Sequence, residues 1–173
     1  MIALTDVHYG EAIATAALVV AREWSAEAPF FERVVTVSVI EPYRSGEFFK
    51  RELAPLRTVL SSLTHPVDAI LVDGFVWLAG GQPGLGAHLW NELTTKISVV
   101  GIAKRPFRGA PAVEVVRGDS ARPLYVTAAG MDAGQAAALV RSMHGSFRIP
   151  TLVTWVDHLA RGLEQASRPK DLD

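Results

Sequence analysis

The sequence contains no cysteine. That absence removes disulfides, thiolate zinc sites and cysteine nucleophiles together. An excess of one charge is missing too: 17 Lys and Arg against 18 Asp and Glu leave a formal charge of −1. Bulk charge therefore gives no nucleic-acid footprint, and any such surface has to be a local basic patch. No apolar run reaches the length needed to cross a bilayer. The opening MIALTDVHYG has neither the charged n-region nor the cleavage site of a signal peptide. The expectation is a cytoplasmic protein without membrane association. Repeats, linkers and low-complexity tracts are absent as well, so the 173 residues are expected to form a single domain over 1–173, large enough to bury a core.

Several catalytic signatures are lacking. The glycine-rich GGQPGLG at 80–86 has neither the Walker lysine nor the GxGxxG register, which argues against a nucleotide cradle. No HExxH or close histidine pair suggests zinc, and His8, His65, His88, His144 and His158 are dispersed. The GxSxG elbow of serine hydrolases is not found.

What is present is organised around residues 66–107. An apolar run, Ala69 to Val72, delivers Asp73 and then Gly74; a glycine-rich loop leads to a helix with Leu85, Leu89 and Leu93; a second run, Ile97 to Ile102, delivers Lys104. Strand, helix and strand at this spacing make a parallel βαβ unit. An acid and a lysine then sit at the carboxyl ends of neighbouring strands, where open α/β sheets place their chemistry. Ahead of it, Ile2–Val7, Ala12–Ala21 and the β-branched Arg33–Ile40 read as an antiparallel meander. With a period of two, Ile2, Leu4 and Asp6 share a face.

Between meander and parallel unit, Phe49, Leu53, Leu56, Leu60 and Leu63 form a helical stripe with Glu52 at its border. Pro55 predicts a kink, or two short helices meeting near Glu52. Later, Val113–Val116 and Leu124–Thr127 read as a hairpin around Arg117-Gly118-Asp119-Ser120. Asp132 can cap a helix from Ala133 to about Met143. Pro150 opens a last helix with Leu152, Val156, Leu159 and Leu163 inward and Asp157 on its flank.

Asp6, Glu52, Asp73 and Asp157 thus each stand at the end or flank of an apolar element. If they converge, their mutual repulsion raises their pKa values unless a cation sits among them. Hard oxygen donors select Mg²⁺ or Mn²⁺, a metal so bound makes water nucleophilic, and a lysine beside it can stabilise a phosphate in flight. Spacing alone favours reading Glu52 as a solvated helix-edge acid.

Taken in order, these residues resemble the endonuclease V family, nucleases acting on deoxyinosine in DNA and, in some members, inosine in RNA. The carrying motifs are the early acid of LTDVHYG, Pro42-Tyr43-Arg44-Ser45-Gly46 followed by Arg51-Glu52, Asp73-Gly74 with Gly84 and His88, Gly101-Ile102-Ala103-Lys104, and Arg148-Ile149-Pro150 with Asp157. The resemblance implies an α/β, RNase H-like fold: a mixed central sheet, antiparallel meander plus parallel strands, flanked by helices. It implies Asp6, Glu52, Asp73 and Lys104 as catalytic residues, and Asp6, Glu52, Asp73 and Asp157 as ligands of Mg²⁺, with Mn²⁺ able to substitute; helical periodicity does not choose between Asp157 and His158. Tyr43 would be the wedge filling the gap left by a displaced base, with Gly46 and Gly74 lining the base pocket. The implied reaction is hydrolysis of the second phosphodiester 3′ to the lesion, leaving 3′-hydroxyl and 5′-phosphate, by a monomer acting on DNA or RNA. Arg44, Lys50, Arg51, Arg105 and Arg108 are candidates for phosphate contacts.

The chain also departs from the family. His-Pro-Arg after Asp-Gly is replaced by Ala79-Gly80-Gly81, Pro-Gly-His by Ala129-Gly130-Met131, and Glu-Pro-Thr-Arg by Thr151-Leu152-Val153-Thr154. Phe75, Val76 and Trp77 are expected to put bulk near the base. Two other readings therefore stand beside the first: a structure-specific nuclease of the same fold without inosine preference, and a non-catalytic nucleic-acid-binding or interaction domain.

Overall fold

The computed structural model describes residues 1–38 and 48–163. Alternating apolar residues make β1 (Ile2–Tyr9) and β2 (Ile13–Ala21), which pair antiparallel across a turn closed by the Gly10 N–H on the Ile13 carbonyl. β3 (Phe31–Ser38) completes the expected meander. After α1 (Phe48–Leu60), β4 (Ala69–Asp73) lies parallel to β1. α2 (Leu85–Glu92) then leads to β5 (Ser98–Ala103), parallel to β4. β6 (Val113–Val115) and β7 (Leu124–Ala129) form the predicted hairpin, antiparallel to β5. α3 (Ala133–Ser142) starts where Asp132 accepts the Gln135 N–H, and α4 (Thr151–Ala160) follows Pro150. Among the described residues this is one mixed seven-stranded sheet, order β3-β2-β1-β4-β5-β7-β6. No helix among them is long and apolar enough to cross a membrane.

The period of two divides the sheet into two buried faces. Ile2, Leu4, Ala69, Leu71, Val100 and Ile102 pack with α3 and α4. Ala3, Ile70, Val72 and Val99 face the opposite way, with Leu53, Leu56 and Val59 of α1 and Leu85 and Leu89 of α2. The glycines of 80–86 serve this packing: a Cβ at Gly84 would stand 2.4 Å from the Phe75 carbonyl oxygen, and one at Gly86 would meet Val76 at 2.7 Å. The motif that looks like a phosphate loop is where a helix is drawn against the backbone after β4.

Two expectations are corrected. Of the two alternatives at Pro55, a kink or two short helices meeting near Glu52, the second is not found: α1 is one helix with Pro55 buried inside it. Proline removes the N–H that would bond the Arg51 carbonyl, and that carbonyl instead accepts a hydrogen bond from the Tyr9 hydroxyl at 3.0 Å. Leu163, expected inward, is exposed. Gly162 takes φ 65° and the Leu163 N–H bonds back to the His158 carbonyl, so the chain leaves the helical path one residue earlier.

Candidate active site

Three adjacent strands deliver the site on one face. The series Ile2-Leu4-Asp6, Ala69-Leu71-Asp73 and Val100-Ile102-Lys104 run inward to outward on the side of α4, with Leu4 paired to Leu71 and Leu71 to Val100. The buried members anchor each strand. The next residue on the same face is charged: Asp6 stands one residue past the last β1–β4 pair, Asp73 ends β4 and Lys104 follows β5. Lys104 Nζ donates to Asp73 Oδ2 at 3.0 Å. Leu152 and Val156 bury α4 against this face, and Asp157 joins Asp6, Asp73 and Lys104 around one cavity. Glu52 reaches the same acids from α1: Asp6, Glu52, Asp73 and Asp157 line a contiguous cleft with Gly74, His8 and Arg161. His158 lies on the other side of α4, in a groove with Phe147 and Trp155.

Electrostatics record the crowding. Burial, then the charges of Asp73 and Asp157, raise the Asp6 carboxyl from 3.8 to about 6. Burial, then Asp73 and Asp6, raise Glu52 from 4.5 to about 8. Burial pulls the Lys104 ammonium down, but Asp73, Asp157 and Asp6 together outweigh it and leave its pKa above the ordinary value. Lys104 therefore stays charged, and at neutral pH Glu52 holds its proton while Asp6, titrating near 6, has mostly lost its own. Among the described residues no three carboxylate or imidazole groups converge closely enough to hold an ion as they stand. Asp73 is drawn to Lys104 and Asp157 to Arg161 at 2.9 Å. The cleft nonetheless gathers four carboxylates, of which Asp6 and Glu52 have raised proton affinity; such oxygen donors suit a hard divalent cation, which would relieve their crowding.

Beside the acids, a second cleft is lined by Phe49, Gly74, Phe75, Gln82, His88 and Phe107 among others. The His88 and Phe49 rings stack at 3.6 Å, and Phe75 meets Phe107 at 6.0 Å between centroids. Of the three bulky residues expected here, only Phe75 lines it. Val76 is fully buried with its N–H on Thr127 Oγ1, and the Trp77 indole donates to the Ala128 carbonyl. Tyr43, Gly46 and Arg44 lie outside the described residues, as does the Lys50 side chain. Arg51, a candidate phosphate contact, packs its guanidinium on the Tyr9 ring at 4.2 Å, while Arg105 and Arg108 are exposed.

Two arginines support the site from behind. Arg148 Nη2 donates to the carbonyls of Lys104 and, at 2.8 Å, of Pro123, tying the loop before α4 to the residue that carries the ammonium. Arg117, expected in an open hairpin turn, turns inward and is 6% exposed. Its guanidinium donates to the carbonyls of Arg141, Met143, His144, Gly145, Phe147 and Arg148. No sequence pattern announces that role, since the six acceptors are backbone atoms.

The family profile of endonuclease V matches residues 1–127. Comparison with curated proteins gives no match. Among solved structures, the chain is similar to endonuclease V of Ciona intestinalis, in complex with a 24mer DNA containing an inosine followed by a ribo-adenosine (TM-score 0.75, 18% identity, 93% of this chain and 84% of that one). It is also similar to endonuclease V of Streptomyces avermitilis (TM-score 0.75, 23% identity, 93% and 79%). The catalytic domain of human endonuclease V matches as well (TM-score 0.73, 24% identity, 93% and 80%). These likenesses carry the fold, an RNase H-like mixed sheet flanked by helices. With the profile covering most of its length and the fold shared, the chain belongs to the endonuclease V family of nucleases.

Proposed function

We propose that this nuclease is divalent-cation-dependent and hydrolyses a phosphodiester 3′ to deoxyinosine in DNA, or inosine in RNA, leaving 3′-hydroxyl and 5′-phosphate. The observation that carries the reading is the shared face: Asp6, Asp73 and Lys104 stand on three neighbouring strands around one cavity with Asp157 opposite. Asp6, Glu52, Asp73 and Asp157 would hold Mg²⁺, or Mn²⁺ in its place. When bound, such an ion supplies a nucleophilic water and charge neutralisation at the phosphate.

The protein's own groups do the rest. Lys104, kept cationic by its acidic neighbours, would bind a non-bridging phosphate oxygen and stabilise the charge that grows there. Glu52, protonated at neutral pH in the absence of a cation, would release its proton as one binds, and Asp6 would do so at lower pH. Gly74 stands between the acid cleft and the aromatic cleft, so a nucleotide with its phosphate at Asp73 would place its base between Phe75 and the Phe49–His88 stack. A displaced base is held by stacking of this kind. Tyr43 is proposed as the wedge and Gly46 as part of the base pocket.

One observation favours the second reading, a nuclease of the same fold without inosine preference. Phe75 and Phe107 narrow the aromatic cleft with side chains that read no base edge. Both readings are tested by nicking of inosine-containing and ordinary strands, DNA and RNA, with Mg²⁺ and Mn²⁺, for the natural protein and Asp73→Ala. Cutting confined to inosine strands and abolished by Asp73→Ala supports the first. Equal cutting of all strands, still abolished by Asp73→Ala, supports the second. Binding without any cutting would make the chain a nucleic-acid-binding domain.

A further inference from the structure

We propose that the Tyr9 hydroxyl is the positioning group for Glu52, acting through the Arg51 carbonyl that Pro55 leaves without its helical donor. This rests on the reading of Glu52 as a site acid. In a helix the residue at 55 would donate its N–H to the carbonyl at 51; proline has none, and its ring crowds that carbonyl. Pro55 is buried and α1 continues through it. The freed acceptor is not left to solvent: the Tyr9 O–H donates to it at 3.0 Å.

The consequence for Glu52 follows from peptide planarity. The Arg51 carbonyl and the Glu52 N–H belong to one rigid unit, so fixing the oxygen fixes the plane that enters the Glu52 Cα and the direction of its side chain. The Tyr9 ring is itself held, with the Arg51 guanidinium over it at 4.2 Å. Tyr9 is the last residue of β1, three beyond Asp6, and strand alternation turns it toward α1 while Asp6 turns toward α4. One strand thus contributes an acid to the cleft and sets the angle of a second acid brought by a helix on the opposite face.

The test is a double-mutant cycle of Tyr9→Phe and Pro55→Ala. Phenylalanine keeps the ring beneath Arg51 and removes only the hydroxyl. Alanine at 55 returns an N–H to the Arg51 carbonyl and makes the hydroxyl redundant. Cleavage rates, Mn²⁺ affinity by calorimetry and melting temperature are read for all four proteins. In the natural background Tyr9→Phe is expected to lower kcat and Mn²⁺ affinity by about 10-fold, the low end for groups that orient a ligand from behind, with KM changed less than about 2-fold. In the Pro55→Ala background the same change is expected to cost less than about 2-fold. Equal losses in both backgrounds, or none in either, overturn the proposal. If the natural protein cuts nothing, the nuclease reading fails alone, and the Mn²⁺ titration still decides: rescue by Pro55→Ala supports the role of Tyr9, and four equal affinities or no binding overturn it.

Discussion

Lys104 Nζ stands 3.0 Å from Asp73 Oδ2, at the ends of two parallel neighbours, with both side chains about two-fifths exposed (40% and 43%). An ion pair so exposed contributes at most about 1 kcal/mol to stability. Its geometry is nonetheless enforced by two buried strands, and the Lys104 main chain is held from behind by Arg148. The pair is thus held in a fixed geometry that contributes little to folding.

Lys104→Met is therefore expected to separate activity from stability. Cleavage kcat should fall by about 10²- to 10³-fold, the usual loss when a group stabilising transition-state charge is removed. The melting temperature should move by no more than ~4 °C, since the pair is worth so little to folding. Parallel kinetics and calorimetry check this.

The raised acids give the metal-free protein an inverted pH dependence. Glu52 (4.5 to about 8) and Asp6 (3.8 to about 6) hold protons in the folded state that the unfolded chain has already lost. Where the folded state binds more protons, stability falls as pH rises. Their favourable contribution is complete below about 4 and is lost progressively, through pH 6 for Asp6 and pH 8 for Glu52. Glu52→Gln should flatten the upper part of that fall in melts between pH 5 and 9. Mg²⁺ should raise the melting temperature more at pH 8 than at pH 5.5, because protons compete for the same oxygens.

Arg148 should matter through Lys104. Arg148→Ala frees the carbonyls of Lys104 and Pro123, and kcat is expected to drop about 10-fold with a modest loss of stability. Arg148→Lys should recover little, because the lysine side chain ends one bond short of the position from which Nη2 reaches both carbonyls. Steady-state kinetics on the two variants distinguish the outcomes.

Arg117 is a matter of folding. Its buried guanidinium gathers one carbonyl of the last turn of α3 and five of the segment between α3 and α4, and Arg117→Met would leave most of them unpaired. Hydrogen bonds to a charged group and the orphaned acceptors together suggest a loss of about 2–3 kcal/mol, or roughly 4–12 °C for a chain of this size. Thermal melts read it directly.

The legible parts of the sequence were those in which periodicity carries the information. Asp73 ends one apolar run and Lys104 follows the next, so their common edge could be read from the βαβ spacing; Asp6 ends an apolar face of period two, but spacing left open whether it joins them. The hairpin at 113–127 and the Asp132 cap were legible for the same local reasons. Glu52 could be placed on a helix border, but its inward turn depends on Tyr9, more than forty residues away, replacing a bond that Pro55 removes. That compensation is tertiary, and Pro55 by itself pointed to a kink. Phe75, Val76 and Trp77 were alike as bulky residues after a strand. Only packing against Gly86 and Thr127 decides that Val76 goes to the core and Phe75 to the cleft. Arg117 was hidden because its partners are main-chain carbonyls, which every residue has.

The most direct measurement is the anomalous scattering of a crystal soaked in Mn²⁺ at pH 7.5. An ion is expected between Asp6 and Asp73, about 2.1 Å from a carboxylate oxygen of each, with Glu52 or Asp157 completing its shell and Lys104 alongside. An ion bound elsewhere, or none at a concentration that supports cleavage, would contradict a metal-centred site at the ends of these strands.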